Sequence, residues 1–125
     1  MKKQILVIDD EELITKSLVL ALEKSGYEVL VAKRCDEAVA MAEAIDFDLI
    51  ISDIRMPGID GIETVRRILE AMTKRGVQHA PRIFMTGFAD QKAELDAKAL
   101  KPKAYILKPF DLIQFLAEVK KALGA

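Results

Sequence analysis

The sequence has a single cysteine, Cys35, set between Arg34 and Asp36, so no internal disulfide can form. A lone thiol in a polar stretch points to a reducing, cytoplasmic setting. Charge of one sign is also missing: the formal net charge is −1, with lysines and arginines spread along the chain. That leaves no electrostatic footprint for nucleic acid or an anionic membrane, and direct nucleic-acid contact is not expected. Long apolar runs are absent as well. The run at residues 5–8 follows Met1-Lys2-Lys3-Gln4 and is cut off by acidic residues, too short for a signal peptide's apolar region or a membrane span. No internal repeat, low-complexity tract or linker appears, and Gly124-Ala125 follow the last helical pattern directly. The chain therefore reads as a lone domain or as one domain of a longer protein. The one histidine, His79, lies in the polar loop Arg75-Gly76-Val77-Gln78-His79-Ala80-Pro81 and reads as a surface residue.

What is present is apolar content, 51% of 125 residues, enough for one core that buries roughly two thirds of the unfolded chain's surface. Short apolar runs at residues 5–8, 29–32, 49–51, 83–85 and 105–107 alternate with five amphipathic segments. That is a repeated βα pattern, and runs with so little alternation predict a parallel sheet covered on both faces. A first helix is predicted over about residues 12–25, with Ile14, Leu18, Ala21 and Leu22 on one stripe and Gly26 ending it in the left-handed region. A second begins near Asp36 as cap and carries Ala38, Met41, Ala42 and Ile45. A third opens with Asp60 as cap and Glu63 as its box partner, with Ile62, Val65, Leu69 and Met72 as stripe. Residues 90–100 form a weaker helix whose apolar content is Ala93, Leu95, Ala97, Ala99 and Leu100, a narrow docking face that is cheap to shift. The last helix runs from Asp111, with Gln114 as box partner and Leu112, Phe115, Leu116, Val119 and Leu123 as stripe.

The stretch Ile50-Ile51-Ser52-Asp53-Ile54-Arg55-Met56-Pro57-Gly58 is an apolar strand that ends on an aspartate and breaks into a turn. Open α/β sheets place their ligands at the carboxyl ends of the strands. Asp9-Asp10 after the first run, Asp53 after the third, Thr86 after the fourth and Lys108-Pro109 after the fifth would all share that edge. Each alone has an ordinary explanation as a cap, a turn residue, a strand-end hydroxyl or a loop cation. Together they predict one cleft. Carboxylates at ~4 Å repel by about 4 kcal/mol per pair at an effective dielectric of ~20, so positive charge must offset them. Lys108 supplies one charge and a divalent cation more; Mg²⁺ fits best, because it binds through one or two carboxylates together with a phosphate oxygen.

At these residues the chain resembles the receiver domain of two-component response regulators. The matching elements are Ile5-Leu6-Val7-Ile8-Asp9-Asp10-Glu11, Asp53-Ile54-Arg55-Met56-Pro57-Gly58-Ile59-Asp60-Gly61, Met85-Thr86-Gly87 and Tyr105-Ile106-Leu107-Lys108-Pro109-Phe110. They span essentially the whole chain, so residues 1–125 are expected to form one receiver domain. The resemblance implies an α/β, doubly wound, flavodoxin-like fold: a five-stranded parallel sheet in the order 2-1-3-4-5 with five helices. It implies that Asp53 is the phospho-acceptor and that Thr86 and Lys108 bind phosphoryl oxygens. Asp10, Asp53 and the backbone carbonyl of Arg55 would bind Mg²⁺ directly, and Asp9 through water. A cis peptide before Pro109 would aim Lys108 into the cleft. Thr86 and Tyr105 would form the switch, read on the face made by the 90–100 helix, the last strand and the last helix.

The implied partners are a sensor histidine kinase or phosphotransfer protein and a downstream effector domain or protein. A homodimer through the same output face is a further option. The resemblance implies that Arg55 and Phe88 occupy positions that vary in the family and border the path of the hydrolytic water, where a long cation and a bulky ring would slow dephosphorylation. The family's frequent Gly-Ala pair before the fifth strand is replaced by Lys101-Pro102-Lys103-Ala104, which leaves that turn open.

Three other functions stay in view. A Mg²⁺-dependent phosphohydrolase with an aspartyl intermediate, of the haloacid-dehalogenase-like type, wants a second carboxylate where this chain has Arg55. A nucleotide or flavin carrier wants a Gly-rich loop that does not open the first helix. A receiver-like scaffold working without phosphate would not need the complete acidic, Thr and Lys set.

Overall fold

Alternating apolar and amphipathic segments become five strands and five helices in strict alternation among the described residues, 2–88 and 90–124 of a computed structural model. In chain order they are β1 (Gln4–Ile8), α1 (Glu12–Lys24), β2 (Glu28–Ala32), α2 (Cys35–Ala44), β3 (Leu49–Asp53), α3 (Gly61–Lys74), β4 (Arg82–Thr86), α4 (Gln91–Ala99), β5 (Ala104–Leu107) and α5 (Leu112–Ala122). All strand pairs are parallel, in the order β2-β1-β3-β4-β5. The predicted fold class holds.

Alternation along each strand splits the core into two layers. Leu6, Ile8, Ile50 and Phe84 join Ala38 and Ala42 of α2, Ile62, Val65, Ile68, Leu69 and Met72 of α3, and Ala97 of α4. Ile5, Val7, Leu49, Ile51, Ile83 and Met85 join Leu18 and Leu22 of α1 and Phe115, Val119 and Ala122 of α5. Burial on both faces holds for β1, β3 and β4; the edge strands β2 and β5 are half open, and Leu30 and Leu107 reach solvent.

Local chemistry at the helix ends follows the sequence in part. Gly26 takes φ +95° and ends α1 as predicted, and Asp60 accepts from Glu63 N–H at 2.9 Å to cap α3. The other half of that capping box is not made, because the Glu63 carboxylate turns to Arg66 and Arg67. Helix α2 starts earlier than predicted: Arg34 is its N-cap, Cys35 is buried in its first turn, and Asp36 lies inside the helix, where an acid favours the positive helix end. In α5 the Asp111 side chain accepts from Ile113 N–H at 2.8 Å, and no cap bond to Gln114 forms. Leu112 is exposed, so the stripe of α5 starts at Phe115.

Helix α4 docks more narrowly than its composition suggests. Among the described residues of this helix only Ala97 is fully buried, with Ala93 and the following Leu100 packed at the core's edge, while Leu95 is 70% exposed. The turn after α4 is made without glycine: Lys101 takes φ +52°, a left-handed conformation that disfavours a side chain. Among the described residues no helix is long and apolar enough to cross a membrane.

Candidate functional site

The backbone behind the carboxyl edge is fixed before any side chain is considered. The parallel ladder continues one residue past three strands: Asp9 N–H donates to the Ala32 carbonyl at 3.1 Å, Ile54 to Met85 at 2.9 Å and Lys108 to Thr86 at 2.8 Å. Asp9, Asp53, Thr86 and Lys108 are therefore presented from a rigid rim. The Lys108-Pro109 peptide is cis, as the resemblance implied. Just beyond it, Phe110 stacks on Phe115 with ring centroids 5.2 Å apart, which ties the lysine-bearing loop to α5.

Asp9, Asp10 and Asp53 each offer a carboxylate oxygen, and these lie within 4.8 Å of one another. Around an octahedral Mg²⁺ ion adjacent oxygens lie about 3.0 Å apart and opposite ones about 4.2 Å, so these carboxylates are near enough to converge on a hard divalent cation if they draw inward. Asp9 and Thr86 are buried and Asp53 is 3% exposed. Lys108 is the counter-charge: its ammonium lies 3.4 Å from Asp53 Oδ2, 3.4 Å from Asp9 Oδ2 and 3.1 Å from Glu11 Oε1.

The electrostatics of this cluster are unfavourable on balance for the charged forms of Asp9 and Asp53. Burial pushes the Asp53 carboxyl up to about 6; Lys108 opposes this, while Asp9 and Glu11 add to it. Burial also raises Asp9, against a backbone N–H bond from Glu11 and the charge of Lys108. For Lys108, burial alone would lower the ammonium's pKa, but Asp9, Asp53 and Glu11 together outweigh it and hold it above its usual value. Raised carboxyls beside a charged lysine leave room for a further positive charge to stabilise the cluster.

Thr86 and Tyr105 are the residues expected to form a switch. Thr86 Oγ1 accepts from Phe88 N–H at 3.2 Å, so its hydroxyl is engaged within its own loop. Tyr105 packs against the core layer under α4, and its buried hydroxyl has no hydrogen-bond partner among the described residues. Burial raises its pKa, with Glu94 and Asp90 adding to the effect. Arg55 and Phe88 meet: the Arg55 guanidinium lies 4.0 Å over the ring of Phe88, which is 54% exposed. His79 stays in its loop, its Nε2 2.7 Å from Thr73 Oγ1.

Three residues of the site were quoted in the motifs without a role. Glu11 contacts Lys108. Ser52 Oγ donates to the Asp53 carbonyl at 3.0 Å. A Cβ on Gly61 would fall 1.7 Å from that same carbonyl oxygen, so α3 can start against Asp53 only with glycine there.

Comparison with known proteins agrees with this geometry. The family model described as response regulator receiver domain matches residues 5–120. The transcriptional regulatory protein ResD of Bacillus subtilis is 34% identical over 120 residues, 96% of this chain and 48% of ResD. The polar-differentiation response regulator DivK of Brucella ovis is 31% identical over 124 residues and is matched over 98% of its length. A CheY-like response regulator receiver domain protein from Methanospirillum hungatei superposes with a TM-score of 0.88 at 31% identity, covering 99% of this chain and 95% of that one. The chain spans about half the length of the first curated relatives it matches. With the fold, the acidic rim and the family model in agreement over nearly its whole length, this chain belongs to the receiver domains of two-component response regulators.

Proposed function

We propose that the domain accepts a phosphoryl group on Asp53, from a phosphohistidine on a sensor histidine kinase or phosphotransfer protein, and passes that state to an effector domain or protein. The observation that carries this is the convergence on Asp53: a buried strand-end carboxylate with Asp9 and Asp10 oxygens within 4.8 Å and the Lys108 ammonium at 3.4 Å. In the transfer, an Asp53 carboxylate oxygen attacks phosphorus, the P–N bond to the donor imidazole breaks, and its electron pair leaves with that nitrogen. Asp53 is a weak nucleophile, and its advantage is placement on a fixed rim. Lys108 and Thr86 take the phosphoryl oxygens, which requires Thr86 to leave the Phe88 N–H. Asp10, Asp53 and the Arg55 carbonyl would hold Mg²⁺, with Asp9 acting through water, and the bound ion would supply charge stabilisation for those oxygens.

The readout follows from the same motion. When Thr86 moves toward the phosphoryl group, Tyr105 can turn further inward, and the thinly docked α4 is the element that adjusts. The face of α4, β5 and α5 is where a partner, or a second copy, reads the change. The stacked Arg55–Phe88 pair, each partner two residues past Asp53 or Thr86 in sequence, acts in this reading as a screen that slows hydrolysis; an aspartyl-phosphate lifetime of seconds in the purified protein refutes that role. The domain works in the cytoplasm, without touching nucleic acid itself.

The deciding experiment incubates the protein with Mg²⁺ and a small phosphodonor and maps the product by mass spectrometry. One phosphoryl group on Asp53, absent from Asp53→Asn, is the expected result; no label overturns the proposal. Turnover of many donor equivalents would instead mark a phosphohydrolase, which Arg55 at the position of the required second carboxylate argues against.

A further inference from the structure

An ammonium has three N–H donors, and at rest those of Lys108 face three carboxylates, on Glu11, Asp9 and Asp53. A phosphoryl oxygen that binds Lys108 competes with them. Asp9 is the least free to leave: it is fully buried, and its other oxygen accepts Glu11 N–H at 2.9 Å. Asp53 is the acceptor itself, and once esterified it presents its phosphoryl oxygens toward the mouth of the cleft. Glu11 is different. Its side chain is 55% exposed and can return to water at little cost.

The position of Glu11 in the fold sharpens the point. It is the N-cap of α1, a place that favours a short Ser, Thr, Asp or Asn whose side chain closes the first turn. The Glu11 side chain makes no cap bond. It reaches across the cleft instead, to a lysine 97 residues away in sequence. We propose that Glu11 is a placeholder for the phosphoryl group: a positioning residue that occupies the third N–H of Lys108 at rest and yields it when Asp53 is phosphorylated. This rests on Asp53 being the acceptor. Glu11 thereby holds Lys108 in the cleft and at the same time resists phosphorylation, because its bond to Lys108 must break first.

Two variants separate this role from a simple effect of negative charge. Glu11→Gln keeps the shape and removes the charge; Glu11→Asp keeps the charge but withdraws it by about 1.5 Å, one carbon–carbon bond, out of reach of Lys108. With saturating Mg²⁺ and acetyl phosphate, Glu11→Gln is expected to be phosphorylated at least threefold faster than wild type, and Glu11→Asp at least twofold faster. If charge alone mattered, Glu11→Asp would match wild type; that result, or an unchanged or slower Glu11→Gln, overturns the proposal. A second readout needs no metal: the NMR signal of the Lys108 Nζ and Cε atoms should move in both variants of the metal-free protein. Its further change on adding Mg²⁺ and beryllofluoride should shrink, since the lysine has already been released. An unmoved Lys108 signal also overturns the proposal. If wild type fails to label at Asp53, the acceptor reading fails, while the metal-free spectra still test the Glu11–Lys108 contact.

Discussion

Asp53 destabilises the fold it serves. Its carboxyl titrates near 6 in the folded protein, against an ordinary value of 3.8, so between those values the folded state holds a proton that the unfolded chain has released. The stability this proton confers is present at acid pH and lost as pH rises through about 6. A shift of this size corresponds to roughly 1 to 3 kcal/mol. Asp53→Asn is therefore expected to raise the unfolding free energy by that order at pH 7.5 in chelator, with the gain shrinking toward pH 5; denaturant titrations at the two pH values check it. Tyr105 presents a second residue-scale cost. Its enclosed hydroxyl has no partner, so Tyr105→Phe removes a desolvated polar group without breaking a bond and should stabilise the resting domain by about 1 kcal/mol. The active-site residues were readable in the sequence because strand ends fall where apolar runs stop, which placed Asp53, Thr86 and Lys108 on one rim. Glu11 was not readable as a lysine partner, because that contact depends on where a side chain 97 residues later comes to rest. Gly61 was hidden for a related reason: a close approach to the Asp53 carbonyl belongs to packing, and no local pattern announces it.

Among the described residues, helix α4 is the helix with the smallest buried face. Helix α3 fixes itself with seven buried residues and a cap from Asp60, whereas α4 has its Asp90 cap and, among the described residues, one fully buried side chain, Ala97. Periodicity in the sequence anticipated a narrow face, and helix phase narrowed it further by turning Leu95 outward. The same phase effect exposed Leu112 in α5, since a stripe read from composition does not say where a strand's edge stops covering it. The turn after α4 adds strain: a non-glycine residue at positive φ, Lys101, costs on the order of 1 kcal/mol. With little apolar burial to hold it, α4 should open locally at lower free energy than the rest of the sheet's cover. In hydrogen exchange of the resting protein, amides of α4 are expected to exchange at least tenfold faster than those in the middle of α3. Equal protection would mean that α4 is held by contacts other than its own apolar face.

Across the whole molecule, the two core layers hold the strands so firmly that their ends cannot move apart to relieve the crowded carboxylates. The repulsion is therefore stored in the folded state and released by whatever binds there. A cation that binds the folded cluster and not the unfolded chain stabilises the entire domain by mass action, about 2.7 kcal/mol at a hundredfold excess over Kd. For a domain of this length that is a rise in Tm of roughly 8 to 13 °C. Protons compete for the same oxygens, since Asp53 is half protonated near pH 6. The increment in Tm from a fixed Mg²⁺ concentration should accordingly be small at pH 5 and grow through pH 7.5, and it should fall sharply in Asp10→Asn, where the fold is otherwise intact. Scanning calorimetry with and without Mg²⁺ at the two pH values measures this directly. An increment independent of pH would place the ion away from Asp53, on a group that does not titrate in this range, and would detach the metal from the phosphorylation chemistry.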